Sequence, residues 1–172
     1  SYTREAGVRS LERALGKLCR KVAKIYVENQ YMEEIVITKD KLEEYLGKDK
    51  YRHQMAGSKP EVGTVTGLAW TAVGGETLTV EVNALKGKGQ IVLTGKLGDV
   101  MKESARTAIS YTRSIAEEFD IDPEFYQNKD IHIHIPEGAV PKDGPSAGIT
   151  MATAVISALS NIPVLNNVAM TG

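Results

Sequence analysis

Between Glu61 and Gly95 three runs rich in β-branched residues, VGTVTGLAWTAV, ETLTVEVNAL and QIVLTG, are separated by Gly74-Gly75 and by Lys86-Gly87-Lys88-Gly89. Apolar and polar side chains that alternate between glycine turns specify short strands joined tightly, here an antiparallel meander. Beyond Gly95 the period changes. From Asp99 to Phe119, residues Met101, Ala105, Ala108, Thr112, Ile115 and Phe119 fall on one side of a helix. A strand over Asp130–Ile135 comes next, then a second helix from about Pro145 and a final strand in NVAMTG. Strands first, then alternating helices and strands, imply an α+β domain with helices stacked on one sheet.

The N-terminal part reads differently. Val8, Leu11, Leu15, Leu18, Val22 and Ile25 recur in steps of three and four, which predicts a helix from Thr3 to about Glu28. Thr3 is its expected N-cap, with Glu5 in the first turn. Arg13, Lys17, Arg20, Lys21 and Lys24 occupy the opposite face, a pattern usual for a solvated surface. EIVIT reads as a short strand, and Thr38 is placed to cap a brief helix that ends at Gly47. Periodicity then vanishes through GKDKYRHQMAGSKP. The expected organisation is a small helical subdomain over 1–47, a linker over 48–60 and a second domain over 61–172.

Bulk properties narrow the classes. A chain of 172 residues suffices for one sizeable core or two small ones. A net charge of −1 gives no global sign of a nucleic-acid or anionic-membrane partner. No apolar run is long enough to span a bilayer, and no signal-peptide pattern is present. The single cysteine, Cys19, cannot form an internal disulfide, which fits a reducing compartment. The chain opens on Ser and stops in VAMTG, as in the middle of a strand-to-turn passage, so a piece of something longer is expected.

Several segments carry possible chemistry. Gly87-Lys88 and Gly95-Lys96 do not meet the phosphate-loop pattern, since five residues rather than four lie between Gly89 and Gly95 and Leu97 follows Lys96. His132 and His134 alternate with Ile131, Ile133 and Ile135, so both imidazoles share one strand face with Asp130. A zinc site needs further ligands at suitable spacing, and only Glu137 is near, so no metal is expected. These histidines belong to a polar sheet face or to a cleft around Ser146. Gly144-Pro145-Ser146-Ala147-Gly148 matches G-x-S-x-G, but a hydrolase elbow needs a histidine downstream, and His53, His132 and His134 all precede the serine. Asp143 is placed to cap the coming helix and Pro145 suits its first position. Ser146 then sits in the first turn among free amides that would stabilise an oxyanion. The residues alone leave nucleophile and helix cap both open.

PEGAVPKDGPSAGITMATA, followed by AMTG, strongly resembles the catalytic segment of the Lon family of ATP-dependent serine proteases. YTREAGVRSLER looks like the opening of the small helical subdomain of that family's AAA+ ATPase. VGTVTGLAW, LTGKLGDVMKESA and DIHIHIPEGA match its protease domain. The resemblance implies that Ser146 is the nucleophile and that a neutral lysine, not a histidine, is the general base. In the family that lysine follows the MTG segment, past Gly172, so the chain by itself is expected to be inactive. Lys142 does not hold that motif position.

By the same resemblance Thr171 lies near the dyad, and Asp143 belongs to a loop that opens or occludes the site. Glu81, His132, His134 and Glu137 surround the cleft. Arg9 matches an arginine that reaches nucleotide phosphate. The implied parent is a cytoplasmic hexamer that threads unfolded proteins to sequestered sites. Its ATP and Mg²⁺ are bound mostly outside this chain, and no cofactor serves the proteolytic step. Two alternatives remain: an assembly module that kept the fold without the chemistry, decided by whether a lysine follows Gly172 in the matching place, and a Ser-His esterase.

Overall fold

A computed structural model of the protein describes residues 2–30, 33–51, 59–71, 73–136 and 143–172. They form two compact units, one built on the N-terminal helices and one on a sheet with its covering helices. The architecture is mixed α+β.

In the first unit, α1 runs Arg9–Asn29. It starts six residues later than the apolar stripe suggested, and the reason is a competing cap. The Glu5 carboxylate folds back to accept hydrogen bonds from the Ser10 amide at 2.7 Å and the Leu11 amide at 3.0 Å. Those donors would otherwise lack a partner, so the chain before them is free to leave the helix, and Thr3 caps nothing. No residue of α1 is buried, and Leu11 and Leu15 keep about half their surface exposed. A 3₁₀ turn, Lys39–Lys41, leads into α2, Leu42–Leu46, which ends at Gly47 with φ 87°. Tyr45 is buried. Lys17 and Lys21 donate to the Leu46 and Glu44 carbonyls at the end of α2, so part of the basic face neutralises a helix C-terminus. Residues 34–38 form no strand. Val36 is mostly exposed there, and an isolated extended segment has no ladder to satisfy its amides. Thr38 makes no side-chain cap.

The second unit contains β1 (Thr64–Thr71), β2 (Gly74–Lys86), β3 (Ile91–Thr94), α3 (Asp99–Ser114), α4 (Phe125–Asn128), β4 (Lys129–His134), α5 (Gly148–Ser160) and β5 (Ala169–Met170). The sheet order is β3-β4-β2-β1-β5. The three β runs do not make a meander, because β4 inserts between β2 and β3, antiparallel to one and parallel to the other. Asp130, at the start of β4, is part of the cause. Its Oδ1 accepts from the Lys88 and Gln90 amides, each at 2.8 Å, and so holds the turn after β2 against the incoming strand. Gly89 allows this at φ 85°, where a Cβ would lie 2.1 Å from the Tyr126 carbonyl oxygen.

One face of the sheet is apolar. Val65, Leu78, Val80, Val82, Ile131 and Ile133 are buried with Met101 and Ala105 of α3 and Met151 and Val155 of α5. The α3 stripe uses Ile109 rather than Phe119, because the helix gives way to a 3₁₀ turn over Ala116–Phe119 and Phe119 stays exposed. No helix among the described residues is long and apolar enough to cross a membrane.

Candidate active site

The segment around Ser146 is built by its neighbours in sequence. Pro145 fixes φ at the first position of a 3₁₀ turn, Pro145–Ala147, which continues into α5. Neither the turn nor α5 has a side-chain cap. Ser146 is half-buried, and its hydroxyl makes no hydrogen bond among the described residues. It is therefore not the cap of its own helix. The hydroxyl stands beside the positive end of a 13-residue helix, where developing negative charge is favoured.

Asp143 does not cap this helix either. Its Oδ1 accepts from the Met101 amide, at 3.1 Å, and so caps α3. The N-cap residue of α3 is Gly98, which has no side chain to do this itself, and a Cβ there would lie 2.2 Å from the Asp143 carboxyl carbon. The two helix starts are thus tied together just before the serine.

The third side of the site comes from β5 and its continuation. Gly67 of β1 pairs in parallel with Met170, and two residues later the Gly172 amide donates to the Ser146 carbonyl at 3.3 Å. Thr171 is exposed in the segment thus fixed beside the Ser146 turn. Two residues past Ser146 begins a groove of about 460 Å³ between α3 and α5, walled by Val100, Tyr111, Ile149 and Ala152, with Glu103 on one side.

Glu81, His132 and His134 do not belong to this arrangement. Glu81 faces His134 across the β2/β4 ladder, while the neighbouring Val82–Ile133 pair is buried under the helices. By alternation, the glutamate and both histidines point to the opposite side of the sheet. There the Thr94 hydroxyl bonds His132 Nε2 at 2.9 Å and His134 Nδ1 at 2.7 Å. These bonds fit the polar-face reading of the two histidines. No three His, Cys, Asp or Glu side chains among the described residues could hold a metal ion together. Glu137 lies outside the described residues.

Arg9 opens α1 and is exposed. The free amides at that helix start go to the protein's own Glu5, whose carboxyl is held below the usual carboxylate range by the Ser10 amide more than by any other contact. Gly98, Gly67 and Thr150 also shape the site. A glycine directly before Asp99 in KLGDVMKES was a usable signal, since a helix opening on glycine must borrow its cap.

Comparison with known proteins gives the family. Residues 1–39 match the Lon protease AAA+ ATPase lid domain, and residues 36–172 match the Lon protease (S16) C-terminal proteolytic domain. Over 171 residues the chain is 72% identical to Lon protease of Clostridioides difficile (strain 630). It is 61% identical to Lon protease of Brevibacillus choshinensis and 57% to Lon protease 1 of Bacillus subtilis (strain 168). Each alignment covers 99% of this chain and 22% of the relative, so the chain spans about a fifth of the length of these curated relatives.

Proposed function

This chain belongs to the Lon protease family, whose proteolytic domain is a serine protease, and on that footing we propose that it carries the nucleophile of an ATP-dependent endopeptidase. Ser146 attacks the substrate's peptide carbonyl, its proton passes to a base, and the amine leaves as the acyl-enzyme forms. Water then releases the acyl group. The base is a neutral lysine supplied past the Thr171–Gly172 segment, its pKa lowered by burial or neighbouring cations. Thr171 supports that lysine. Asp143 sets the position of the turn through its bond to α3.

The observation that carries this reading is the Ser146 hydroxyl, uncommitted at an uncapped helix start. A Ser-His esterase lacks the same support, because both described histidines are bound to Thr94 across the sheet.

ATP, bound with Mg²⁺ mostly by parts of the protein outside these residues, supplies the work of unfolding. Within the chain Arg9 offers a guanidinium to a phosphate, while Glu5 already takes the adjacent amides. The substrates in this reading are unfolded proteins, the assembly is a hexamer, and the compartment is the cytoplasm, which the lone Cys19 suits.

The test is reaction of the intact protein with a fluorophosphonate and with casein. Ser146→Ala should abolish labelling and lower turnover by about four to six orders of magnitude. Undiminished cleavage in that variant would remove Ser146 from the mechanism.

A further inference from the structure

Thr150 lies one helical turn beyond Ser146, is fully buried, and its Oγ1 has no hydrogen-bond partner among the described residues. A buried hydroxyl left unpaired costs stability, so its retention calls for a reason. Other helical hydroxyls in this protein bond the carbonyl four residues back: Thr112 to Ala108 at 2.8 Å, Thr153 to Ile149 at 2.9 Å and Ser160 to Ile156 at 2.8 Å. For Thr150 the corresponding carbonyl is that of Ser146. In this structure the Gly172 amide, at 3.3 Å, holds it. The Thr150 side chain rests instead against Gly67 of β1, where a Cβ would come within 3.2 Å of Oγ1 and 3.3 Å of Cγ2. The missing side chain at Gly67 leaves the hydroxyl room to turn.

We propose that Thr150 is a positioning residue for the Ser146 nucleophile, its hydroxyl donating to the Ser146 carbonyl when the site is at work. A carbonyl oxygen has two lone pairs, so the Thr150 hydroxyl and the Gly172 amide fit it together. Held from both the helix side and the strand side, the 3₁₀ turn presents the Ser146 hydroxyl in one orientation. The inference rests on Ser146 being the nucleophile. It adds that part of the turn's accuracy is supplied by a group that touches no substrate.

Thr150→Val removes the hydroxyl and keeps the shape, and Thr150→Ser keeps the hydroxyl. Both are made in the intact protein, with Thr150→Ala as a second deletion should the valine not fold. The measurements are the rate of fluorophosphonate labelling at Ser146, kcat and KM for casein with ATP and Mg²⁺, and the melting temperature. One hydrogen bond's worth of positioning predicts that Thr150→Val slows labelling and kcat about 3- to 10-fold, with KM and melting temperature not worsened. Thr150→Ser should recover most of the rate. A wild-type rate in Thr150→Val overturns the proposal, as does an equal loss in Thr150→Ser, which would assign the effect to the methyl group. If wild-type Ser146 is not labelled at all, the nucleophile reading itself has failed, an outcome separate from the others.

Discussion

Replacing Gly98 by alanine separates the position of the Ser146 turn from the stability of the fold. The backbone at Gly98, with φ −70° and ψ 174°, suits any residue, so alanine brings no conformational strain. By restricting the unfolded chain it stabilises by about 0.4–1 kcal/mol. Its Cβ would lie 2.2 Å from the Asp143 carboxyl carbon and 2.4 Å from Oδ2, so the aspartate must retreat by about 1 Å or more. The bond to the Met101 amide is then lost, and losing such a cap costs about 0.5–2 kcal/mol. The two effects partly cancel, leaving a loss in melting temperature of no more than about 6 °C. Catalysis has no such offset. Asp143 stands three residues before Ser146, and a misplacement of about 1 Å can cost about 100-fold in rate. Thermal melts beside fluorophosphonate labelling of the intact protein check both halves. Labelling within about twofold of wild type refutes the displacement. A melting point lowered by more than about 10 °C refutes the local account.

Asp130 has its carboxyl held below the usual range, chiefly by the Gln90 amide and then by that of Lys88. A depressed folded pKa contributes stability above the unfolded value, near about 4, that is lost as pH falls through the folded one. Asp130→Asn should therefore unfold at lower urea than wild type at pH 7, with the gap narrowing below about pH 4. Gly63 holds φ 73°, and its carbonyl accepts the Val82 amide at 2.7 Å. An alanine Cβ would meet the Val82 carbonyl oxygen at 2.3 Å, so Gly63→Ala should cost at least about 2 kcal/mol and lower the melting point by about 4–8 °C.

Local periodicity made the strands and α3 legible, because each buries one face and the spacing of apolar residues reports it; α5 was announced by the proline at its start. Strand order was not legible. The Asp130 carboxylate that wedges β4 between β2 and β3 acts on a turn some forty residues earlier, which no local pattern announces. The strand expected at 34–38 failed for a related reason: alternation says what a strand would bury but supplies no neighbour to pair with. At α1 the expected cap was Thr3, but the carboxylate of Glu5, two residues later, reached the free amides instead. The helix start at Pro145 was legible from its Gly-Pro motif, whereas the cap was not, since Asp143 serves α3 instead of the helix that follows it. The position of the histidines was in fact written in the sequence. Alternation that turns Ile131 and Ile133 toward the helices turns His132 and His134 to the other face of the sheet.

The parallel pairing of β1 with β5 joins Thr66 to Ala169, roughly a hundred positions apart. Contacts of such long range close late, after the loop between them has been ordered. A growing polypeptide on the ribosome thus presents its serine well before the strand that comes to rest beside it. Until that closure the turn around Ser146 lacks the strand-side bond to its carbonyl, so its final shape arrives only with the finished domain.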